Sequence, residues 1–147
     1  SAENISRLKH STRFDNLPPD IMIIYMGNND ALVQNLNTAN FEKSYRNMLN
    51  NLYTLYPNIQ LFLGTLSYEK YFVGKDYYEE HVLVTAEVNR IIQSLASEYN
   101  LPIIDFATAY SDSSYLFDTI HPNVLGMKAL ANVAIDAISK FYNPTTI

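Results

Sequence analysis

The sequence predicts an α/β fold of three layers, helices on both faces of a parallel sheet. Two observations carry this. Short apolar runs alternate with longer stretches of helical spacing, so successive strands are joined by helices, which imposes parallel pairing. The loops richest in reactive side chains follow the apolar runs directly, where such sheets place ligands. The chain has 147 residues, the size of one domain, and 48% are apolar or aromatic, enough for a sizeable core.

Residues 1–11 have Ile5 and Leu8 on one helical face, and a loop follows over 14–19. Residues 20–26 (DIMIIYM) form a nearly continuous apolar run, expected as a strand buried on both faces and stopped by Gly27. Thr38 or Asn40 can cap the next helix, in which Phe41, Tyr45, Met48, Leu49, Leu52 and Tyr56 share a stripe ended by Pro57. Residues 59–63 (IQLFL) are the second strand. A tyrosine-rich loop over 65–76 leads into a long helix with Val84, Val88, Ile91, Ile92, Leu95 and Tyr99 on one face. The third strand lies within 101–106. The last helix starts near Pro122, a residue tolerated in a first turn, and buries Met127, Leu130, Ala134, Ile138 and Phe141.

Composition narrows the chemistry. Fifteen acidic against ten basic residues give a net charge of −5, which disfavours nucleic acid, since phosphate binding needs a basic patch. No window approaches the roughly 18 apolar residues of a membrane span. Without cysteine there is no disulfide, thiol nucleophile or Cys-ligated zinc, and either the cytoplasm or export is compatible. Four glycines and no G-x-G-x-x-G or P-loop pattern leave no Gly-rich phosphate loop.

Two loops stand out. Gly27-Asn28-Asn29-Asp30 follows the first strand; glycine permits a sharp turn, and an Asn amide can donate to a developing oxyanion. An ordinary polar turn has the same composition. Asp118-Thr119-Ile120-His121-Pro122-Asn123 precedes the last helix. A carboxylate three residues before an imidazole can fix its tautomer and support its positive charge, and Pro122 biases His121 away from helical geometry. The alternative is a helix-capping loop with an incidental histidine. His10 and His81 stand alone and read as surface or packing residues, because a metal site needs converging ligands. The aromatic loop over 68–78, with Tyr71 and Tyr77, suits either a pocket wall or ordinary packing.

Together the two loops resemble signature blocks of the SGNH (GDSL-type) hydrolases: Gly27-x-Asn29-Asp30 the third block, and Asp118-x-x-His121-Pro122-Asn123 with Gly126 the fifth. The resemblance extends over essentially the whole chain. It implies a flavodoxin-like sheet of order 2-1-3-4-5, of which this chain would supply strands 3, 4 and 5, and a serine esterase acting through an acyl-enzyme without a cofactor. His121 would be the general base and then acid, Asp118 would orient it, Asn29 would donate to the oxyanion, and Gly27 would shape the loop. Asp30 would be structural.

The resemblance also implies absences. The Gly-Asp-Ser nucleophile block and the second block, with its glycine N–H, have no counterpart. Residues 1–147 are therefore expected to be a single domain, the C-terminal part of an SGNH hydrolase domain, with the serine upstream. Ser113, in Asp112-Ser113, lacks the preceding strand and glycine of a nucleophile turn. The substrate would be a small ester: a short acyl ester, an acetylated sugar or a lysolipid. The strand at 20–26 would have an open edge, inviting self-association or pairing with an N-terminal piece. A non-catalytic binding module on the same fold is the main rival, and a flavodoxin-like cofactor or receiver domain a second.

Overall fold

The computed structural model describes residues 18–32, 35–67, 78–110, 112–118 and 121–143. The expected helix at 1–11, His10 and nearly all of the aromatic loop at 68–78 lie outside them. The elements run β1 (Ile21–Ile24), α1 (Asn28–Ala31), α2 (Thr38–Leu55), β2 (Gln60–Gly64), α3 (Tyr78–Glu98), β3 (Ile103–Ile104) and α4 (Val124–Tyr142), with 3-10 turns at Phe106–Thr108 and Ser113–Tyr115. The strands form one parallel sheet in the order β1-β2-β3. Ile23 pairs with Phe62, and Leu63 with Ile103.

The period of two sorts the sheet residues between two cores. Ile24, Leu61 and Leu63 face α2 and α3, meeting Phe41, Tyr45, Met48, Leu49, Leu52, Val88, Ile91, Ile92 and Leu95. Phe62, Ile104 and Phe106 face α4, meeting Leu130, Val133, Ala134, Ala137 and Ile138. Leu61, Phe62 and Leu63 are fully buried, so β2 is the central strand, each side chain contributing about 1.5–3 kcal/mol. Among the described residues no helix is long and apolar enough to cross a membrane.

Five details differ from the sequence reading. Asn37, not Thr38 or Asn40, caps α2, its side chain accepting from the Asn40 amide at 3.0 Å. Helix α4 begins after Pro122, with Asn123 as its cap. Met127 is exposed, because the face of α4 meeting the sheet is set by Leu130, Val133 and Ala137. Phe141 is also largely exposed, although its ring meets Phe62 edge-on at 5.3 Å. Strand β1 is not buried on both faces: Ile21 and Ile23 are 39% and 40% exposed. Among the described residues, no strand pairs with its outer edge, and α4 packs on β2 and β3 instead.

Candidate active site

Parallel strands present their carboxyl ends at one rim, so the loops after β1, β2 and β3 converge there. After β1, Gly27 adopts φ +125°, a region L side chains avoid. A Cβ there would also stand 3.3 Å from the Phe41 ring. This turn starts α1, closed by the Ala31 amide donating to the Gly27 carbonyl at 2.8 Å, and it sets Asn29 on the rim.

The loop before α4 is bound largely to itself. Phe117 N–H donates to the His121 carbonyl at 2.8 Å, and Asn123 N–H to the Tyr115 carbonyl at 2.9 Å. The Asn123 side chain accepts from the Leu125 and Gly126 amides, capping α4, and donates to the Ser114 and Leu116 carbonyls. Gly126 packs on the Tyr115 carbonyl, where a Cβ would collide.

On this loop Asp118 uses both oxygens toward His121. Oδ1 accepts from the His121 amide at 2.7 Å, and Oδ2 lies 2.8 Å from ring Nδ1. A carboxylate partner at Nδ1 favours the Nδ1–H tautomer, leaving the Nε2 lone pair available as a base. The side chains are 72% and 47% exposed, so solvent screens the pair. Its consequence is ring orientation more than stability.

His121, Gly27, Asn28, Asn29 and Asp30 line one cleft of about 370 Å³. Asp118 reaches it through the imidazole. Ser113 lies outside that lining, on an exposed 3-10 turn capped by Asp112. Among the described residues no three His, Asp or Glu side chains cluster to hold a metal.

Three further lining residues escaped the sequence reading: Tyr25, Ser67 and Tyr110. The Tyr25 hydroxyl and Ser67 Oγ share a hydrogen bond of 2.9 Å. Burial, with a smaller effect from Tyr25, pushes the Tyr110 phenol up to about 12, keeping it a neutral donor. Tyr25 and Ser67 carried the signal of position just after a strand end; Tyr110 follows β3 only after an intervening 3-10 turn.

The sequence model describing the GDSL-like lipase/acylhydrolase family matches residues 3–129. Solved structures share the fold. A GDSL-like lipase from Bacteroides thetaiotaomicron superposes with a TM-score of 0.73 at 17% identity, over 95% of this chain and 71% of that one. A catalytic mutant of an acetylxylan esterase from Geobacillus stearothermophilus gives 0.71 at 18%, over 93% and 66%. A family 3 carbohydrate esterase from Clostridium thermocellum gives 0.66 at 20%, over 95% and 65%. The chain thus spans about two thirds of the length of these proteins. No curated protein matches it in sequence.

Proposed function

We propose that this chain, which belongs to the GDSL-like lipase/acylhydrolase family, supplies the proton carriers and one oxyanion donor of a serine ester hydrolase. The observation that carries the reading is the Asp118–His121 bond, 2.8 Å long, on an imidazole that shares a cleft with Asn29. His121 Nε2 takes the proton of a serine hydroxyl as its oxygen attacks the ester carbonyl. The Asn29 amide donates to the resulting oxyanion, and Asp118 supports the imidazolium. His121 then protonates the departing alcohol, and the acyl-enzyme is hydrolysed by water activated the same way.

In this reading residues 1–147 are one domain, the C-terminal part of an SGNH domain, and the nucleophile comes from an upstream Gly-Asp-Ser segment. That segment pairs along the outer edge of β1; exposed Ile21, Ile23 and Met26 support such a contact, as they do self-association of the isolated chain. Sedimentation of the 147 residues as a folded, monodisperse monomer would contradict the edge contact.

Among small esters we favour an acetylated sugar. The cleft is lined by Tyr25, Asn28, Asp30, Ser67 and Tyr110, groups suited to hydroxyls, and two fold neighbours bear the names acetylxylan esterase and carbohydrate esterase. The test is fluorophosphonate labelling of the complete gene product, with the adduct located by mass spectrometry. The expected adduct lies on an upstream serine and is lost on His121→Ala. An adduct on Ser67 or Ser113 overturns the placement of the nucleophile, and no adduct on the folded protein points to a binding module.

A further inference from the structure

Helix α3 buries three polar residues at a spacing of four: His81, Thr85 and Asn89, at 6%, 7% and 5% exposure. Four residues is about one turn, so they share the face toward the sheet. Polar groups on an apolar face persist only where they find partners, and two of these have backbone partners in the loops that wall the cleft. His81 Nδ1 lies 3.1 Å from the Ala31 carbonyl, in the turn that presents Asn29. A carbonyl only accepts, so Nδ1 carries the hydrogen. Asn89 bonds Leu66 twice: Oδ1 accepts from its amide at 2.6 Å, and Nδ2 donates to its carbonyl at 2.9 Å. Leu66 is fully buried and adjoins Ser67.

We propose that α3 is the gauge of the cleft: His81 is a positioning residue for Asn29, and Asn89 for Ser67. Neither faces the reaction. Each ties one loop to the same rigid helix. The sheet joins the two loops at their roots, where Ile24 pairs with Leu63, and Tyr25 bonds Ser67 at 2.9 Å; α3 adds a tie farther along each loop, at Ala31 and at Leu66. The catalytic half of this inference rests on Asn29 acting as oxyanion donor; the positioning half does not.

The test uses the complete gene product carrying His81→Leu, His81→Asn or Asn89→Leu. An Asn amide nitrogen stands close to where Nδ1 of histidine stands, so His81→Asn retains the donor and His81→Leu removes it. Backbone hydrogen exchange is followed at residues 27–32 and 65–67, with the α2 core as internal control. His81→Leu should speed exchange at 27–32 selectively, and His81→Asn should restore protection. Asn89→Leu should speed exchange at 65–67. On a small acetyl ester, His81→Leu should lower kcat by about 10- to 100-fold with KM little changed, because an oxyanion donor acts in the transition state. Unchanged exchange at 27–32 in His81→Leu, or equal loosening by Asn and Leu, overturns the proposal. Should the wild-type protein hydrolyse no ester, the esterase reading fails, and the exchange measurements still decide whether α3 positions the walls.

Discussion

Asn123 carries more of the site's local architecture than any residue that touches it, and Asn123→Ala measures how much. The substitution deletes four side-chain hydrogen bonds: two accepted from the first turn of α4, at 2.9 and 3.1 Å, and two donated to Ser114 and Leu116 carbonyls, at 2.7 and 3.2 Å. Loss of an Asn cap costs about 1 kcal/mol. The two donations lie at exposed or half-buried carbonyls that water can partly reach, so the lower half of the usual range applies, about 0.5–1 kcal/mol each. The sum is about 2–3 kcal/mol. The backbone bond from Asn123 N–H to Tyr115 survives, so the loop should loosen without leaving α4.

Urea unfolding followed by far-ultraviolet circular dichroism reads this directly. With a slope of about 1–3 kcal/mol per molar, the midpoint should fall by about 0.7–3 M. Asn123→Ser separates the two contributions: it keeps a capping oxygen and loses both donations, so it should recover about 1 kcal/mol of the loss. An unfolding free energy for Asn123→Ala within about 0.5 kcal/mol of wild type would refute the reasoning. So would a serine variant no better than alanine, because capping would then contribute nothing.

Further outcomes follow from the same geometry. On the proposed reading, in the complete gene product His121→Ala should abolish ester hydrolysis, and Asp118→Asn should lower kcat by about 10⁴-fold through loss of the correct tautomer. Because the pair is solvent-exposed, Asp118→Asn should shift thermal stability little, and calorimetry alongside a chromogenic acetate assay checks both. Gly126→Ala forces a Cβ against the Tyr115 carbonyl and 2.8 Å from Pro122 Cβ, so it should cost about 1–3 kcal/mol and displace the His121 loop, visible as altered His121 ring resonances. Tyr45 is buried with no hydrogen-bond partner for its hydroxyl among the described residues, and burial pushes its phenol well above the usual range. Tyr45→Phe should therefore raise stability by about 1–3 kcal/mol in urea; a loss of stability would mean that the hydroxyl is bonded in solution.

Sequence alone was sufficient for interactions within a few residues and for periodic patterns. The first strand was legible as an apolar run, though its half-exposed face was not, and the stripes of α2 and α3 were legible because burial repeats with the helical period. The Asp118–His121 pair was legible because both groups lie on one short loop. Met127 was misplaced because apolar spacing does not choose between two adjoining faces of a helix; Val133 and Ala137 decide that face, through Phe62, Ile104 and Phe106 far away in sequence. The third strand shrank to Ile103–Ile104 for a long-range reason too. Thr65 Oγ1 donates to Asp105 at 2.8 Å and accepts from the Ala107 amide at 3.0 Å, turning the chain into a 3-10 segment. His81 read as a surface or packing residue, and it is packed, but its carbonyl partner is fifty positions away.

The candidate site therefore has two halves assembled by different means. The half bearing His121 is bound largely within residues 112–126: its cap, its carbonyl contacts and both oxygens of Asp118 meet near neighbours. The half bearing Asn29 depends on a glycine conformation and on α3, through His81. Damage to α3 should then move the Asn29 turn while the imidazole keeps its tautomer. Nitrogen-15 shifts of the His121 ring in His81→Leu measure this: unchanged shifts, together with faster exchange at 27–32, are expected of two independent halves. Shifts that move together with the exchange would show one cooperative unit, and would assign to α3 the geometry attributed here to the loop alone.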